Sequence, residues 1–255
     1  MVMKSVFLSR RLLTGIASFL VLMAAWEVSI KAFGIRPIML PAPSSILAEF
    51  RTDSSWYLGN AWYTLLTTLA GFALSVIFGV LIAVLLVSVK WFENTVYPLI
   101  VSFNSVPKVA IAPLFVVWLG TGPEPKIAIS FLIAVFAIIV DAVHGLRSVP
   151  ADVMDLGRVL KGSRWDFFFK VRLPCALPSI LTGMKVSISL ALVGAIVGEF
   201  VASQRGLGYI ILSAQGSFDT PRVFAALFLL GGMGMALFTM LEWIERRVTH
   251  WRHIA

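Results

Sequence analysis

The chain has 255 residues, of which 59% are hydrophobic and 13% are charged, and its formal net charge is +8. Ordinary soluble domains carry roughly a quarter charged residues, so one water-exposed fold could not hide this much apolar surface. The composition therefore excludes a soluble globular protein and indicates an integral membrane protein. The single cysteine, Cys175, excludes a disulfide framework and a cysteine metal site.

Six apolar stretches are long enough to cross a bilayer, which takes about 20 helical residues. The predicted spans cover residues 12–30, 61–89, 96–119, 127–144, 180–200 and 223–244. Pro107 and Pro113 interrupt the third span, and Pro174 and Pro178 mark the entry to the fifth. We expect an all-α integral membrane protein with six transmembrane helices, in which residues 1–255 form one transmembrane domain.

Glycines within the spans indicate where helices approach each other closely, because small residues let helix backbones meet in lipid. Gly71 and Gly79 occur in the second span, and Gly231, Gly232 and Gly234 occur in the sixth. The sequence predicts close helix packing at both groups.

Lysine and arginine are divided unevenly between the two sides of the predicted spans. Thirteen lie on the side of the N-terminus and six on the opposite side. Because cytoplasmic loops carry the excess of these residues, both termini and the connection between spans four and five are predicted to be cytoplasmic. Anionic lipid headgroups then account for the positive charge, and no nucleic-acid partner is required. The alternative for residues 1–25 is a cleaved signal peptide. Its removal would leave five spans and would place the basic C-terminus on the opposite side of the membrane from the one that its charge predicts.

The connection between spans four and five, residues 150–174, is the longest charge-rich interruption of the apolar sequence and is called the connector below. Apolar residues recur at helical spacing from Val153 to Leu160. Pro150 suits the first turn of a helix, and Gly162 suits its end. The spacing predicts an amphipathic helix that begins near Pro150 and ends at Gly162.

A second helix is predicted in the connector from a Ser-x-x-Asp capping pair, Ser163 and Asp166, with its end at Pro174. Four aromatic residues within 165–169 stand beside lysine and arginine residues. Aromatic and arginine side chains are typical of protein docking surfaces. An aromatic belt is also typical of a helix that lies on the membrane surface, and this pattern alone leaves both interpretations open.

The connector resembles the cytoplasmic signature of the inner-membrane permease subunits of binding-protein-dependent ABC importers. That signature reads Glu-Ala-Ala, three residues, Gly, nine residues, Ile-x-Leu-Pro, and it aligns with residues 155–174. The acidic first position, an aliphatic residue at 171 and the final Leu-Pro are kept. The Glu-Ala-Ala triplet is altered, and Lys161 occupies the glycine position, so Gly162 is expected to supply the helix break one residue later.

The likeness to these permeases extends from about Leu12 to Trp251. It is greatest to the branch that serves sulfonate, taurine, nitrate and pyrimidine- or riboflavin-type uptake. The segments that carry it are LPAPSSIL at 40–47, VPKVAIAPLFVVWLGTG at 106–122, GLRSVP at 145–150 and GEFVASQRGLGYII at 198–211.

The resemblance implies a type I ABC importer permease in the inner membrane. Two permeases, expected to be copies of this chain, would enclose the solute pathway. Separate ATPase subunits would bind ATP and magnesium, a solute-binding protein would deliver solute from outside, and this chain would hold no cofactor of its own. The residues expected to couple it to the ATPase are Asp155, Arg158, Lys161, Gly162, Ser163, Arg164, Trp165, Phe168, Phe169, Leu173 and Pro174.

The sequence contains no Gly-x-x-x-x-Gly-Lys-Ser/Thr phosphate loop, so ATP hydrolysis is expected to belong to a partner and this chain is not expected to be an enzyme. The alternative function is an ion-coupled secondary transporter, which would predict inverted repeats or mid-span acidic residues. A membrane-embedded enzyme would need a cluster of catalytic side chains at matching depth. Neither pattern is clear in this chain.

Polar residues within the spans are candidates for the solute pathway, because charges in a bilayer usually face an interior or a cavity. Asn104, Ser105 and Lys108 lie in the proline-interrupted third span, and Lys185 and Glu199 lie in the fifth. Lys108 would attract a small organic anion, with Glu199 as its counter-ion or as an outer-gate residue. The structural alternatives are that Lys185 reaches the membrane interface, that Glu199 ends its helix near water, and that the prolines serve packing.

Overall fold

In a computed structural model, the described residues, 2–159 and 163–249, form α-helices and no strand. The helices are α1 (Val2–Phe33), α2 (Pro43–Thr52), α3 (Ser54–Ser88), α4 (Lys90–Asn104), α5 (Ala112–Leu119), α6 (Pro123–Arg147), α7 (Ala151–Val159), α8 (Arg164–Phe167), α9 (Leu173–Val201), α10 (Leu207–Gly216) and α11 (Thr220–Val248). A 3₁₀ turn, Lys108–Ile111, precedes α5, and a π-helical turn, Phe168–Arg172, joins α8 to α9.

The predicted all-α membrane fold is confirmed. Among the described residues, five helical stretches are long and apolar enough to cross a bilayer, and a sixth span results if one bent helix pair is counted as a unit. The five are Thr14–Phe33, Ser54–Ser88, Pro123–Arg147, Trp165–Val201 and Thr220–Val248.

The third predicted span, residues 96–119, is broken. Helix α4 and the segment Lys108–Leu119 meet at an angle of 85°. Pro107, with φ of −65° and ψ of 94°, stands between them in an extended conformation. Proline cannot donate the next helical hydrogen bond and its ring disfavours helical geometry before it, which explains why the helical hydrogen bonding is interrupted at this residue.

The second connector helix was predicted to end at Pro174, and that prediction is wrong. The helix passes through the π-helical turn and continues as α9, so Trp165–Val201 is one apolar helical stretch. In the π-helical turn the Leu173 N–H donates to the carbonyl of Phe168, five residues earlier. Pro174 lies in the first turn of α9, directly after the π-helical turn, and the altered hydrogen bonding of that turn accommodates its missing N–H within a continuous helix. The predicted end of the first connector helix at Gly162 lies outside the described residues.

Helix α6 lies at the centre of the bundle, between α3 and α9, and glycines set its distance from both. A Cβ atom at Gly79 of α3 would lie 2.8 Å from Ile138 Cγ2. One at Gly194 of α9 would lie 2.6 Å from the Cα of Ser130. Close packing of this kind drives helix association in lipid, because lipid tails are as apolar as the side chains and hydrophobic burial gives no driving force there.

The predicted role of glycines is confirmed in the second span, and in the sixth span it holds only for Gly234. At Gly71 an added Cβ would overlap the Ser130 hydroxyl. Gly231 and Gly232 of α11 instead face open space, and an added Cβ at Gly234 would make a tight contact, 3.3 Å from Leu192 Cδ2. Small residues in a span indicate a close approach only on the face that meets another helix, and the sequence alone does not reveal which face that is.

Buried serines add hydrogen bonds across the same helix contacts. Each hydroxyl donates to a backbone carbonyl of the neighbouring helix: Ser75 to Phe131 at 3.1 Å, Ser130 to Ala191 at 2.8 Å and Ser187 to Ala134 at 3.1 Å. Such bonds contribute about 0.6 kcal/mol each in membrane proteins. Together with the glycines they hold α3, α6 and α9 in one close-packed unit.

Candidate functional site

The two connector helices, α7 and α8, contact each other at a glycine. A Cβ atom at Gly157 of α7 would overlap the ring of Phe167 at the end of α8. The predicted helix start at Ser163 is confirmed, because its hydroxyl accepts from the Trp165 N–H at 3.3 Å and its carbonyl accepts from the Phe167 N–H at 3.0 Å. The angle between the two connector helices therefore depends on the absence of a side chain at residue 157.

Exposed aromatic rings lie on the surface of the connector. Trp165 stacks on Phe169 with ring centroids 6.1 Å apart, and the two residues are 71% and 57% exposed. Phe168 meets the edge of Phe169 at 5.2 Å and packs against the core formed by α3, α6 and α9. Lys170 pairs with Asp166 at 3.1 Å on the same helical stretch. This surface is an apolar platform that Phe168 attaches to the core of the bundle.

The remaining predicted coupling residues fall into three groups. Asp155 is exposed on α7, and Leu173 packs against the core beside Pro174. Arg158 belongs to α7 and Arg164 begins α8. Lys161 and Gly162 lie outside the described residues.

The two membrane helices that the connector joins, α6 and α9, are in close backbone contact beside it. A Cβ atom at Gly145, near the end of α6, would lie 2.8 Å from the carbonyl oxygen of Ala176 in α9. Two ion pairs at 2.5 Å brace this end of the bundle, Arg147 with Glu93 of α4 and Lys185 with Glu245 of α11. Lys185 is thus paired within the protein, and the structure does not bring it together with Lys108 or Asn104.

The broken third span brings two of the predicted pathway residues together. Lys108 Nζ donates to Asn104 Oδ1 at 2.8 Å and lies 4.5 Å from the centroid of the Phe136 ring. Asn104 and Ser105 are exposed at the break. Irregular backbone and charge are tolerated at membrane depth only where protein or a water-filled cavity covers them. The break is therefore the part of the bundle surface least suited to contact lipid.

Glu199 occupies a different place from the one expected for a pathway residue. Its side chain has no exposed surface. Its oxygens accept from the Thr64 hydroxyl at 2.8 Å and from the Gly208 N–H at 2.7 Å. These contacts join α9 to α3 and α10, and none of them involves Lys108.

The candidate site residues named from the sequence do not include Lys126. Its side chain is fully buried, and its ammonium group donates to the carbonyls of Thr121 at 2.7 Å, Gly122 at 2.8 Å and Ala202. The available signal was its position in the first turn of α6, four residues after Gly122 and directly after a loop whose carbonyls have no helical partners.

A model of the family described as "Binding-protein-dependent transport system inner membrane component" matches residues 75–250. The chain belongs to this family. Among its relatives, the formylaminopyrimidine transport permease protein of Halalkalibacterium halodurans is 34% identical over 92% of this chain and 94% of its own length. The riboflavin transport system permease protein of Chloroflexus aurantiacus is 30% identical over 92% and 88%. The taurine transport system permease protein of Escherichia coli is 29% identical over 96% and 91%.

Solved structures share the fold. A chain of the methionine ABC transporter MetNI, in an inward-facing conformation, aligns with a TM-score of 0.67 at 20% identity, covering 77% of this chain and 98% of that chain. A chain of an amino acid ABC transporter aligns with a TM-score of 0.62 at 18% identity, covering 78% and 97%.

The function expected from the resemblance is confirmed at the level of its class. The chain is a permease subunit of an ABC importer, a multi-pass protein of the inner membrane, and ATP hydrolysis belongs to a partner subunit. The predicted sulfonate, taurine and pyrimidine-precursor branch is likewise confirmed by the relatives. No relative supports the ion-coupled alternative.

Replacing Gly157 by valine should separate ATP hydrolysis from uptake. The new side chain overlaps the Phe167 ring and forces the two connector helices apart, while the membrane helices keep their contacts. Uptake into vesicles should fall about tenfold, the effect of ~1.4 kcal/mol, with ATP hydrolysis retained. Adding Phe167→Ala to Gly157→Val removes the overlapping ring and should restore part of the uptake. Full uptake by the single variant would contradict the proposed importance of this contact.

Proposed function

We propose that the chain forms, with a second copy of itself, the membrane pathway of an importer for small organic anions, and that ATPase subunits drive it through the connector. The observation that carries this proposal is the continuity of the connector with α9. Trp165–Val201 runs from the exposed aromatic platform through the bundle without a loop. Force applied at Trp165 and Phe169 therefore passes directly into a transmembrane helix.

The distribution of positive charge supports a cytoplasmic position for the connector. Thirteen lysine and arginine residues on the connector side against six on the other support cytoplasmic termini and a cytoplasmic connector. ATPase subunits, which bind ATP and magnesium, then meet the platform from inside the cell. The solute-binding protein implied by the family description meets the opposite end of the bundle.

A second copy is proposed to cover the broken span. Asn104, Ser105 and part of Lys108 are exposed at the break between α4 and α5. Lipid cannot satisfy these polar groups, whereas two facing copies would enclose them around an aqueous pathway. This arrangement places two Lys108 side chains on the route of the solute.

The proposed solute is a small organic nutrient with an anionic group. Lys108 supplies a positive charge that Asn104 and the ring of Phe136 hold in position. Relatives are named for aliphatic sulfonates in Bacillus subtilis and for taurine in Escherichia coli, and both kinds of compound carry a sulfonate. The charge on Lys108 is the observation that favours an anion, and these two names agree with it, whereas the formylaminopyrimidine and riboflavin permeases are named for solutes without a sulfonate.

The dependence of uptake on ATP tests the proposed function. The chain, its ATPase and its solute-binding protein are reconstituted into liposomes, and uptake of labelled taurine and of an alkanesulfonate is measured. We expect uptake of at least one anion that requires ATP and stops when the ATPase is inactivated, and that continues after ion gradients are collapsed by ionophores. Uptake that follows an ion gradient and ignores ATP would contradict the proposal.

Replacing Lys108 by methionine should weaken anion uptake. Methionine keeps the apolar length of the side chain and removes its charge, so the pathway loses its attraction for the anion. We expect about a tenfold loss of uptake, which corresponds to ~1.4 kcal/mol, with unchanged copurification of the ATPase. Lys31→Met, which removes an exposed lysine at the end of α1, away from both the connector and the broken span, is the matched control for loss of a positive charge. Unchanged uptake by Lys108→Met would mean that Lys108 serves packing alone.

A further inference from the structure

The outer end of α9 holds the first turn of α10 through a buried carboxylate. Glu199 has no exposed surface, and its two oxygens accept from the Gly208 N–H at 2.7 Å and the Thr64 hydroxyl at 2.8 Å. The first N–H groups of a helix have no partners within that helix and attract negative charge. Glu199, a residue of α9, therefore provides the hydrogen-bond acceptor for a backbone N–H in the first turn of α10.

Helix α3 completes the same attachment. Asn60 Oδ1 accepts from the Gly206 N–H at 2.7 Å, and the Thr64 hydroxyl oxygen accepts from the Leu207 N–H at 2.9 Å. Three consecutive N–H groups at the start of α10 are thus bound by side chains of α3 and α9. Helix α10 cannot slide on either helix without leaving buried donors unpaired, which is costly.

The glycines at this turn are required by the carboxylate. Gly206 has φ of +107°, a conformation that side chains rarely adopt, and an added Cβ would overlap the Glu199 carboxylate. A Cβ at Gly208 would lie 2.9 Å from the Cβ of Glu199. The Gly-Leu-Gly sequence at 206–208 therefore lets the backbone close around Glu199.

Lys126 fixes the other side of the turn that joins α9 to α10. Its buried ammonium group binds the carbonyl of Ala202, at the end of α9, together with carbonyls of Thr121 and Gly122 in the loop before α6. Gly198 brings α6 and α9 into contact beside it, since an added Cβ would lie 2.9 Å from the Cα of Lys126. The set of Asn60, Thr64, Lys126 and Glu199 is called the outer clasp below.

The turn held by the outer clasp forms a wall of an open recess. The recess has a volume of about 390 Å³ and is lined by Tyr63, Thr121, Ala202, Ser203, Gln204 and Arg205. Its polar groups come from the two loops that Lys126 ties together and from α3. Loosening the clasp would therefore change the shape of this recess first.

We propose that Glu199 is a positioning residue of the transport cycle. It fixes α10 and the turn 202–206 to the end of α9 opposite the connector, so that the outer recess is shaped to accept solute. It acts through its hydrogen bonds, and its charge does not meet the solute. The proposal rests on the importer function proposed above and goes beyond it by assigning a role to a group that no solute can reach in this conformation.

Glutamine at residue 199 separates positioning from charge. Its amide oxygen can accept from the Gly208 N–H, and its NH₂ group can donate to the Thr64 hydroxyl. That hydroxyl still accepts from the Leu207 N–H, and it can donate its hydrogen to the backbone carbonyl oxygen of Asn60, which lies 3.3 Å away. Glu199→Gln therefore keeps every backbone donor of α10 paired, whereas Glu199→Ala leaves the Gly208 N–H without its partner.

The experiment measures two properties of the full transporter in nanodiscs and liposomes. Uptake is measured for Glu199→Ala and Glu199→Gln, with basal ATP hydrolysis as the control for the connector. Mobility of the turn is measured with a spin label on Gln204→Cys in a Cys175→Ser background, which removes the only native cysteine. We expect Glu199→Ala to mobilise the label and to lower uptake about tenfold. Basal hydrolysis should stay, and Glu199→Gln should keep most of the uptake and an immobile label.

Thr64 gives a second, isosteric test should Glu199→Ala fail to fold. Thr64→Val removes the hydroxyl that binds both Glu199 and Leu207, and Thr64→Ser keeps it. We expect the valine variant to mobilise the label and to lose uptake, and the serine variant to behave as the parent. Equal loss in Glu199→Gln and Glu199→Ala with an immobile label would overturn the proposal, because charge would then be the essential property. Full uptake with Thr64→Val would also overturn it.

The label keeps this test separate from the proposed function. If the parent chain shows no ATP-driven uptake, the importer function fails. Label mobility still reports whether the clasp holds the turn, because that measurement needs no transport.

Discussion

The close contact of α6 with α3 and α9 is the constraint on which the rest of the structure depends. Lipid tails are as apolar as the side chains of a transmembrane helix, so burial alone does not select one helix arrangement. Here the selection comes from backbones that approach through Gly71, Gly79 and Gly194 and from serine hydroxyls that reach across to carbonyls. A contact made by backbone atoms has little room to deform, and α6 and α9 can therefore carry displacement along their length.

The two ends of this unit differ in structure, and the proposals above assign them different roles. At one end Gly145 meets α9 beside the connector, where stacked Trp165 and Phe169 face outward. At the other end Lys126 and Glu199 hold the loops that surround the outer recess. A family whose members couple a cytoplasmic ATPase to uptake from outside requires communication between two such ends. In this chain α9 reaches both without interruption.

The sequence predicted the class of fold well because composition and length determine membrane spans. The Leu-Pro signature identified the connector, and Ser163 located the start of its second helix. The course of the chain at its prolines was predicted less well. Pro107 breaks a span by 85°, whereas Pro174 is absorbed by a π-helical turn, and both look alike in sequence. The difference depends on neighbouring helices, which pack Phe168 and Leu173 against the core.

The outer clasp could not be predicted from residue types alone. Lys126 and Glu199 are 73 positions apart in sequence, and a charged residue near a span end is ordinarily interpreted as exposed. Only the fold shows that backbone carbonyls surround the lysine and that N–H groups meet the carboxylate. These charged groups are buried because they provide hydrogen-bond partners for backbone groups of the loops and of the helix start, which would otherwise have none.

A covalent link between α6 and α9 tests the central claim most directly, namely that these helices move as one body. Cysteines are introduced as Ala134→Cys and Ser187→Cys in the Cys175→Ser background, since the Ser187 hydroxyl lies 3.1 Å from the Ala134 carbonyl. ATP-driven uptake is then compared before and after oxidation to the disulfide. The account predicts that the oxidised protein transports at the rate of the reduced protein. Loss of transport on oxidation, restored by reduction, would show that the two helices must slide past each other and would contradict it.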